Sequence, residues 1–258
     1  VGIEVLCPEE VDYIDNAQIF DNTIIYENLY NGIAIANHGA NVFNNTIKLS
    51  NYGVGIAVGG NKSNVTNNRI YVVGDDGISI TGSNSHVSNN LIHTKANGII
   101  SKIDSVKLKI YNNTISSNKI YSAKYGIFIE GYVYNTTIND NYIETNESEA
   151  IHIDMYTTLN DNYPGRIEDN IVNGVIKDTE ILVIDDNNFY EYFDNDGYLK
   201  YDFKTDSKRI LFLTFLTDKN LYFDDSITLT SNKQANLLYN VTITLEGDAS
   251  DSTIKDLK

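Results

Sequence analysis

The 258-residue sequence predicts an all-β chain wound as a right-handed parallel β-helix, a solenoid of about seven to eight coils with a further β-rich segment behind it. Three observations predict this. A six-residue phrase recurs at nearly constant spacing, a second phrase runs in step with it, and the composition is that of strands and turns.

The first phrase is apolar–x–Asn/Asp–Asn–x–apolar. It runs from Ile19 to Ile24, Val42 to Ile47, Val65 to Ile70, Val87 to Ile92, Ile110 to Ile115, Ile138 to Ile143 and Ile167 to Val172. Its fourth position is always Asn: Asn22, Asn45, Asn68, Asn90, Asn113, Asn141 and Asn170. Subtracting neighbours gives steps of 23, 23, 22, 23, 28 and 29 residues. The second phrase, Gly-Ile-x-apolar, begins at Gly2, Gly32, Gly55, Gly77 and Gly126, with a looser copy at Gly98. Ala150-Ile-His-Ile153 and Glu180-Ile-Leu-Val183 share its phase without the Gly. Each phrase alternates with period two, so each reads as a short half-buried strand.

Such a unit cannot bury its apolar face alone, but stacking copies does bury it. Strands then pair in parallel with their copies one coil away, and parallel β connections are right-handed. The recurring Asn belongs at the bend between two strands, where its side chain tolerates the left-handed conformation. Its amide both donates and accepts, so the seven Asn are expected to form one internal ladder with a structural role. A leucine-rich repeat also has an Asn and a period of this size. It wants Leu five residues before the Asn, where this chain has Ala40, Ser63, Ser85, Leu108, Thr136 and Gly165.

The vocabulary agrees. There are two Pro, one Met, no Trp and one Cys, with 19 Tyr, and Asn, Ile, Thr, Ser and Gly abound. The lone Cys7 excludes an internal disulfide and a cysteine-based metal cluster. A net charge of −16 argues against nucleic acid and anionic lipid. No apolar run approaches the roughly 20 residues of a membrane span. The chain begins inside a strand phrase with no cap before it, which reads as a slice of a longer protein.

The expected organisation is a parallel β-helix over 1–184, an acidic and aromatic junction over 185–200, and a β-rich segment over 201–258 that starts a further β-helical unit. Strand-like runs there are Arg209–Phe215, Ser226–Thr230 and Val241–Leu245, with an abbreviated coil phrase at Ser252–Leu257.

The Asn-Asn-Thr-Ile and Gly-Ile phrases resemble the repeats of pectate-lyase-like β-helices. The junction Tyr192–Leu199, with Ser226-Ile-Thr-Leu-Thr and Asn240-Val-Thr-Ile, is similar to the large adhesin-like surface proteins of methanogenic archaea. That resemblance implies a secreted wall or surface protein and carries no catalytic residues with it. Sequons at Asn44, Asn61, Asn64, Asn112, Asn135, Asn146 and Asn240 suit an extracellular setting.

Enzyme chemistry finds little support in the residues. Gly74-Asp75-Asp76-Gly77 resembles the Gly-Asp-Asp strand of polygalacturonase-type hydrolases, but the Asp and His expected one coil either side are absent around Gly53 and Asn97. The acids Asp154, Asp161, Asp169, Asp185 and Asp186 have no convergent Lys or Arg. Asp194-Asn-Asp-Gly197 fails the twelve-residue calcium pattern at both ends. No metal site, cofactor or catalytic residue is therefore expected.

The expected groove lies where the longer coils insert loops, around 116–124 and 154–165. Its ligand-binding candidates are His152, Asp154, Tyr156, Tyr163 and Arg166. A Tyr-rich outer face, including Tyr26, Tyr30, Tyr71, Tyr111, Tyr121 and Tyr132, offers contact area at low entropy cost. The function expected is a non-catalytic extracellular stalk or adhesin that binds carbohydrate or protein on another cell. The alternative is a polysaccharide lyase, hydrolase or epimerase on the same scaffold.

Overall fold

The computed structural model describes residues 1–5, 16–103, 108–146, 150–155, 167–173, 175–185, 188–201, 208–214, 219–223, 228–231, 241–245 and 253–255. Three parallel sheets run along the axis, each built of one short strand per coil. The first sheet stacks Ile3–Val5 on Ile33, Ala34 and Ile35, then continues through Ile56, Ile78–Ile80, Ile99–Ile103, Ile127–Gly131 and Ile151–Met155. The second runs from Gln18–Phe20 through Asn41–Phe43, Asn64–Thr66, His86–Ser88, Thr114–Ser116 and Thr137–Asn139 to Ile167. The third takes Thr23, Thr46, Arg69–Val72, Leu91–Thr94, Lys119–Ser122, Tyr142–Thr145 and Ile171 in turn. In the first two complete coils the third-sheet strand bends without a break into the next first-sheet strand, as Thr23–Ile35 and Thr46–Val58. The parallel β-helix predicted from the phrases is the observed fold.

Alternation decides what fills it. The inward column of the third sheet is Ile47, Ile70, Ile92, Ile120 and Ile143, each with no exposed surface. The same residue in the same register at every coil packs the interior densely and leaves polar neighbours outside. The Gly of the second phrase has a different reason. A Cβ on Gly55, Gly77 or Gly98 would lie 2.5–2.6 Å from the carbonyl oxygen of the next Gly up the column, and 2.3–2.5 Å from an Ile Cγ2. Only a bare backbone passes there. At Gly126 the corresponding oxygen, that of Ala150, is 3.2 Å away, and Ala150 is the first residue of the column to carry a Cβ.

The asparagine ladder is present, with two corrections. Its members are Asn22, Asn45, Asn68, Asn90, Asn118, Asn141 and Asn170, so Asn118 takes the place expected for Asn113. Ile110-Tyr-Asn-Asn-Thr-Ile115 copies the phrase but lies one corner earlier, because Ile115 pairs with Val87 and Lys119 with Leu91. Asn113 instead joins the other turn column, where its Oδ1 accepts the Ser85 N–H at 2.8 Å and its Nδ2 donates to the Gly82 carbonyl. The long coil therefore takes its extra residues between Ile103 and Ile110. The stretch 116–124, expected as an inserted loop, carries the strands Thr114–Ser116 and Lys119–Ser122.

The second correction concerns the bend. The left-handed residue is the one before each ladder Asn: Asp21, Asn44, Asn67, Asn89, Ser117, Asp140 and Asp169, with φ between 55° and 57°. This explains the Asn/Asp preference at the third position of the phrase. The fourth position is chosen for its side chain.

Ile167–Val172 closes the first stack by pairing antiparallel with Val175–Asp185, with Val172 opposite Val175. Glu180-Ile-Leu-Val183 therefore does not continue the Gly-Ile column. It pairs in parallel with Arg209–Phe212, and the series continues through Thr228–Ser231 and Thr253–Lys255. Lys219–Phe223 pairs with Val241–Leu245 beside it. A second core of Leu182, Ile184, Leu211, Leu213, Leu221 and Phe223 takes in Phe189, which opens the short helix Phe189–Tyr192, and Phe193, which caps its end. The junction's phenylalanines are thus packed inside.

Candidate functional site

A groove of about 1230 Å³ runs along the outer face of the third sheet, over the strands from Lys48 to Asn146. Register builds it: Lys48, Tyr71, His93, Tyr121 and Glu144 are successive partners in one outward column. Coils are spaced about 4.8 Å apart, so flat rings in such a column stack. Tyr71 and His93 lie 5.1 Å apart and 12° from parallel, His93 and Tyr121 4.4 Å and 10°. Tyr121 meets Tyr142 at 6.3 Å and a steeper angle. Ammonium groups cover the ends, with Lys48 Nζ 5.7 Å from the Tyr71 centroid and Lys119 Nζ 5.5 Å and 5.3 Å from Tyr121 and Tyr142.

The electrostatics follow from these contacts. Burial between two rings, with Lys119 nearby, holds the His93 imidazole below its ordinary pKa, so at neutral pH it is an uncharged donor and acceptor. Hydrogen bonding to Tyr121 pushes the Lys119 ammonium up. The Tyr142 hydroxyl donates to the Glu144 carboxylate, which raises its pKa. The ring faces are spent on each other, and what reaches the groove is ring edges: hydroxyls, imidazole nitrogens and ammonium groups.

The residues expected to bind ligand lie elsewhere. His152 is on the outer face of the first sheet, stacked on Phe128 at 5.0 Å and on Tyr125 at 4.8 Å. Asp154 pairs in register with Glu130, and its side chain lies outside the description. Tyr156, Tyr163 and Arg166 lie outside the described residues, as do Cys7, Asp161 and Asp186. Of the Tyr-rich face, Tyr26 and Tyr30 are exposed, but Tyr132 is buried with Tyr134 in the core. Tyr111 stacks on Tyr134 at 5.3 Å.

Asp76 sits at the corner before the first sheet. Its Oδ1 accepts both the backbone N–H and the Nδ2–H of Asn97, at 3.0 and 2.9 Å, one coil on. Burial raises its pKa, outweighing those bonds, and Asp75 adds to the rise. A carboxyl with a raised folded pKa contributes stability that is complete below its unfolded pKa and is lost as pH rises through the folded value. Asp76→Asn keeps the acceptor for Asn97 and removes that loss. Urea denaturation is expected to show the variant at least as stable as the parent at pH 7, with the difference closing towards pH 3.

Asp194 folds back on its own turn, its Oδ1 accepting the N–H groups of Asp196 and Tyr198, both at 2.9 Å. Among the described residues no three His, Cys, Asp or Glu side chains gather where a metal ion could be held. No described helix is long and apolar enough to cross a membrane.

The third-sheet stripe escaped the sequence phrases, although its signal is simple. Each member follows the last apolar residue of a phrase: Lys48 after Ile47, Tyr71 after Ile70, His93 after Ile92, Tyr121 after Ile120. Setting the phrase on Asn113 puts Ser116 in that slot and hides Tyr121.

The family model described as "Right handed beta helix region" matches residues 11–141. No curated protein and no solved structure matches the chain.

Proposed function

The chain belongs to the right-handed β-helix family, and on that premise we propose that it is a non-catalytic module of a secreted cell-surface protein, adhesin-like in the manner of those of methanogenic archaea. In this reading the solenoid is a rigid stalk, and its third sheet binds carbohydrate or protein borne by another cell. The observation that carries the proposal is the groove itself, a fixed axial strip of hydroxyl, imidazole and ammonium groups held in place by stacking.

Its chemistry favours holding over cutting. Hydrolysis with inversion needs an acid and a base on opposite sides of the bond, and along the groove strands the outward carboxylate is Glu144, bonded to the Tyr142 hydroxyl. The sequon residues Asn44, Asn61, Asn112, Asn135 and Asn146 are exposed at the corners, which suits an extracellular protein. Incubation with a panel of polysaccharides is expected to give binding with no release of reducing ends or unsaturated products. Turnover of any of them would overturn the proposal.

A carbohydrate-cleaving enzyme on the same scaffold is the second reading, and Asp76 is the observation in its favour. A carboxyl with a raised pKa is what a general acid requires. Turnover lost on Asp76→Asn or Asp154→Asn would establish it.

A further inference from the structure

We propose that the third-sheet groove is built for an anionic glycan, a chain bearing uronate or sulfate groups that lies along the axis of the solenoid. The proposal rests on the binding reading above and narrows it to one ligand chemistry. Its first support is where the charge sits. The protein carries −16 overall, yet the outward positions of the groove strands carry Lys48, Arg69 and Lys119, with Lys95 just beyond one strand, all exposed, against the single acid Glu144. The outward positions of the second sheet, from Gln18 to Asn139, hold no charged residue at all. A local basic strip on an acidic body attracts polyanions to that strip and repels them elsewhere.

The second support is what the strip cannot do. Single-stranded nucleic acid binds by stacking bases on open ring faces. Here His93 is sandwiched between Tyr71 and Tyr121, and their outer faces meet Lys48, Lys119 and Tyr142. An acidic peptide binds well by adding to a free sheet edge, but Arg69–Val72, Leu91–Thr94 and Lys119–Ser122 are paired on both sides. What remains is a row of ring hydroxyls, an imidazole and ammonium groups, with Tyr71, His93, Tyr121 and Tyr142 placing one ring on each of four successive coils. A chain of sugar rings offers the matching series of hydroxyls and acidic groups.

The test uses the full chain and immobilised polygalacturonate (uronate), dextran sulfate (sulfate without uronate), neutral amylose and polyglutamate, with salt titrations. At least one acidic glycan is expected to bind about tenfold more tightly than amylose, with an affinity that falls as salt rises. Lys48→Gln with Lys119→Gln is expected to weaken that binding about tenfold and flatten its salt dependence. Lys62→Gln with Lys102→Gln removes the same charge away from the groove and is expected to change little. All four lysines are exposed, and the Lys102–Glu130 ion pair at 2.8 Å is a surface pair worth under about 1 kcal/mol, so circular dichroism should match the parent and melting should stay close to it.

Equal binding of amylose, or no effect of the groove pair, overturns the anionic inference and leaves the general binding reading standing. Polyglutamate held as tightly, with the same dependence on Lys48 and Lys119, overturns the glycan class. No binding of any polysaccharide overturns both.

Discussion

Asn68→Ala is expected to lower the unfolding free energy of the first stack by about 3–5 kcal/mol, read from urea denaturation. The Asn68 Oδ1 accepts the N–H and the Nδ2–H of Asn45, both at 3.0 Å, and its own Nδ2 donates to the Val42 carbonyl at 2.9 Å. These groups are buried, so alanine leaves the Asn45 N–H and one of its Nδ2–H groups without their acceptor. Each such group costs about 1–3 kcal/mol, and partial rebinding by neighbours limits the sum. Asn118→Ala should cost a similar amount, because Asn118 accepts from Asn90 in the same way. Asn113→Ser should cost only about 1 kcal/mol, since a serine hydroxyl can accept the Ser85 N–H just as Ser85 Oγ accepts from Ser63. Equal costs at 113 and 118 would contradict the observed register.

Gly77→Ala is the second large effect expected, about 3 kcal/mol or more by the same measurement. The added Cβ would sit 2.4 Å from Ile92 Cγ2 and 2.6 Å from the Gly98 carbonyl oxygen. Neither neighbour can retreat: Ile92 is locked in the interior column, and the Gly98 N–H and Gly98 carbonyl belong to the coil-to-coil ladder. Moving one coil moves those stacked on it. The control is Ala150→Gly at the end of the column, where a Cβ is already accommodated. That change should cost about 1 kcal/mol, the usual backbone entropy of a glycine.

These two substitutions also mark how far the sequence could be read. The Gly column and the ladder were legible because one-dimensional stacking imposes the same contact at every coil, and identical contacts select identical residues. The slip at Asn113 has a physical cause. Both corners of the coil use a left-handed residue followed by a buried one, so Asn112-Asn113 at one corner looks like Asn44-Asn45 at the other. Only the strand partners of Ile115 and Lys119 tell them apart. The reversal between Val172 and Val175 was hidden for a related reason: Glu180-Ile-Leu-Val183 alternates correctly for a coil strand, and alternation is blind to strand direction. The binding face was the least legible part. Outward positions of a solenoid meet no core that dictates one residue type, so Lys48, Tyr71, His93 and Tyr121 differ in type and become a set only once the register is known.

The ladder has one more consequence, for assembly. Every side-chain bond in it runs the same way, from an Nδ2–H to the Oδ1 of the Asn one coil on, while each Nδ2 from Asn45 onwards also donates back to a backbone carbonyl of the preceding coil. The column is therefore a polar filament whose two tips differ, the Asn22 tip presenting an acceptor. A coil stacked ahead of Asn22 would complete that acceptor with its own Nδ2–H only if its chain ran in the same sense, so the column admits growth in one polarity.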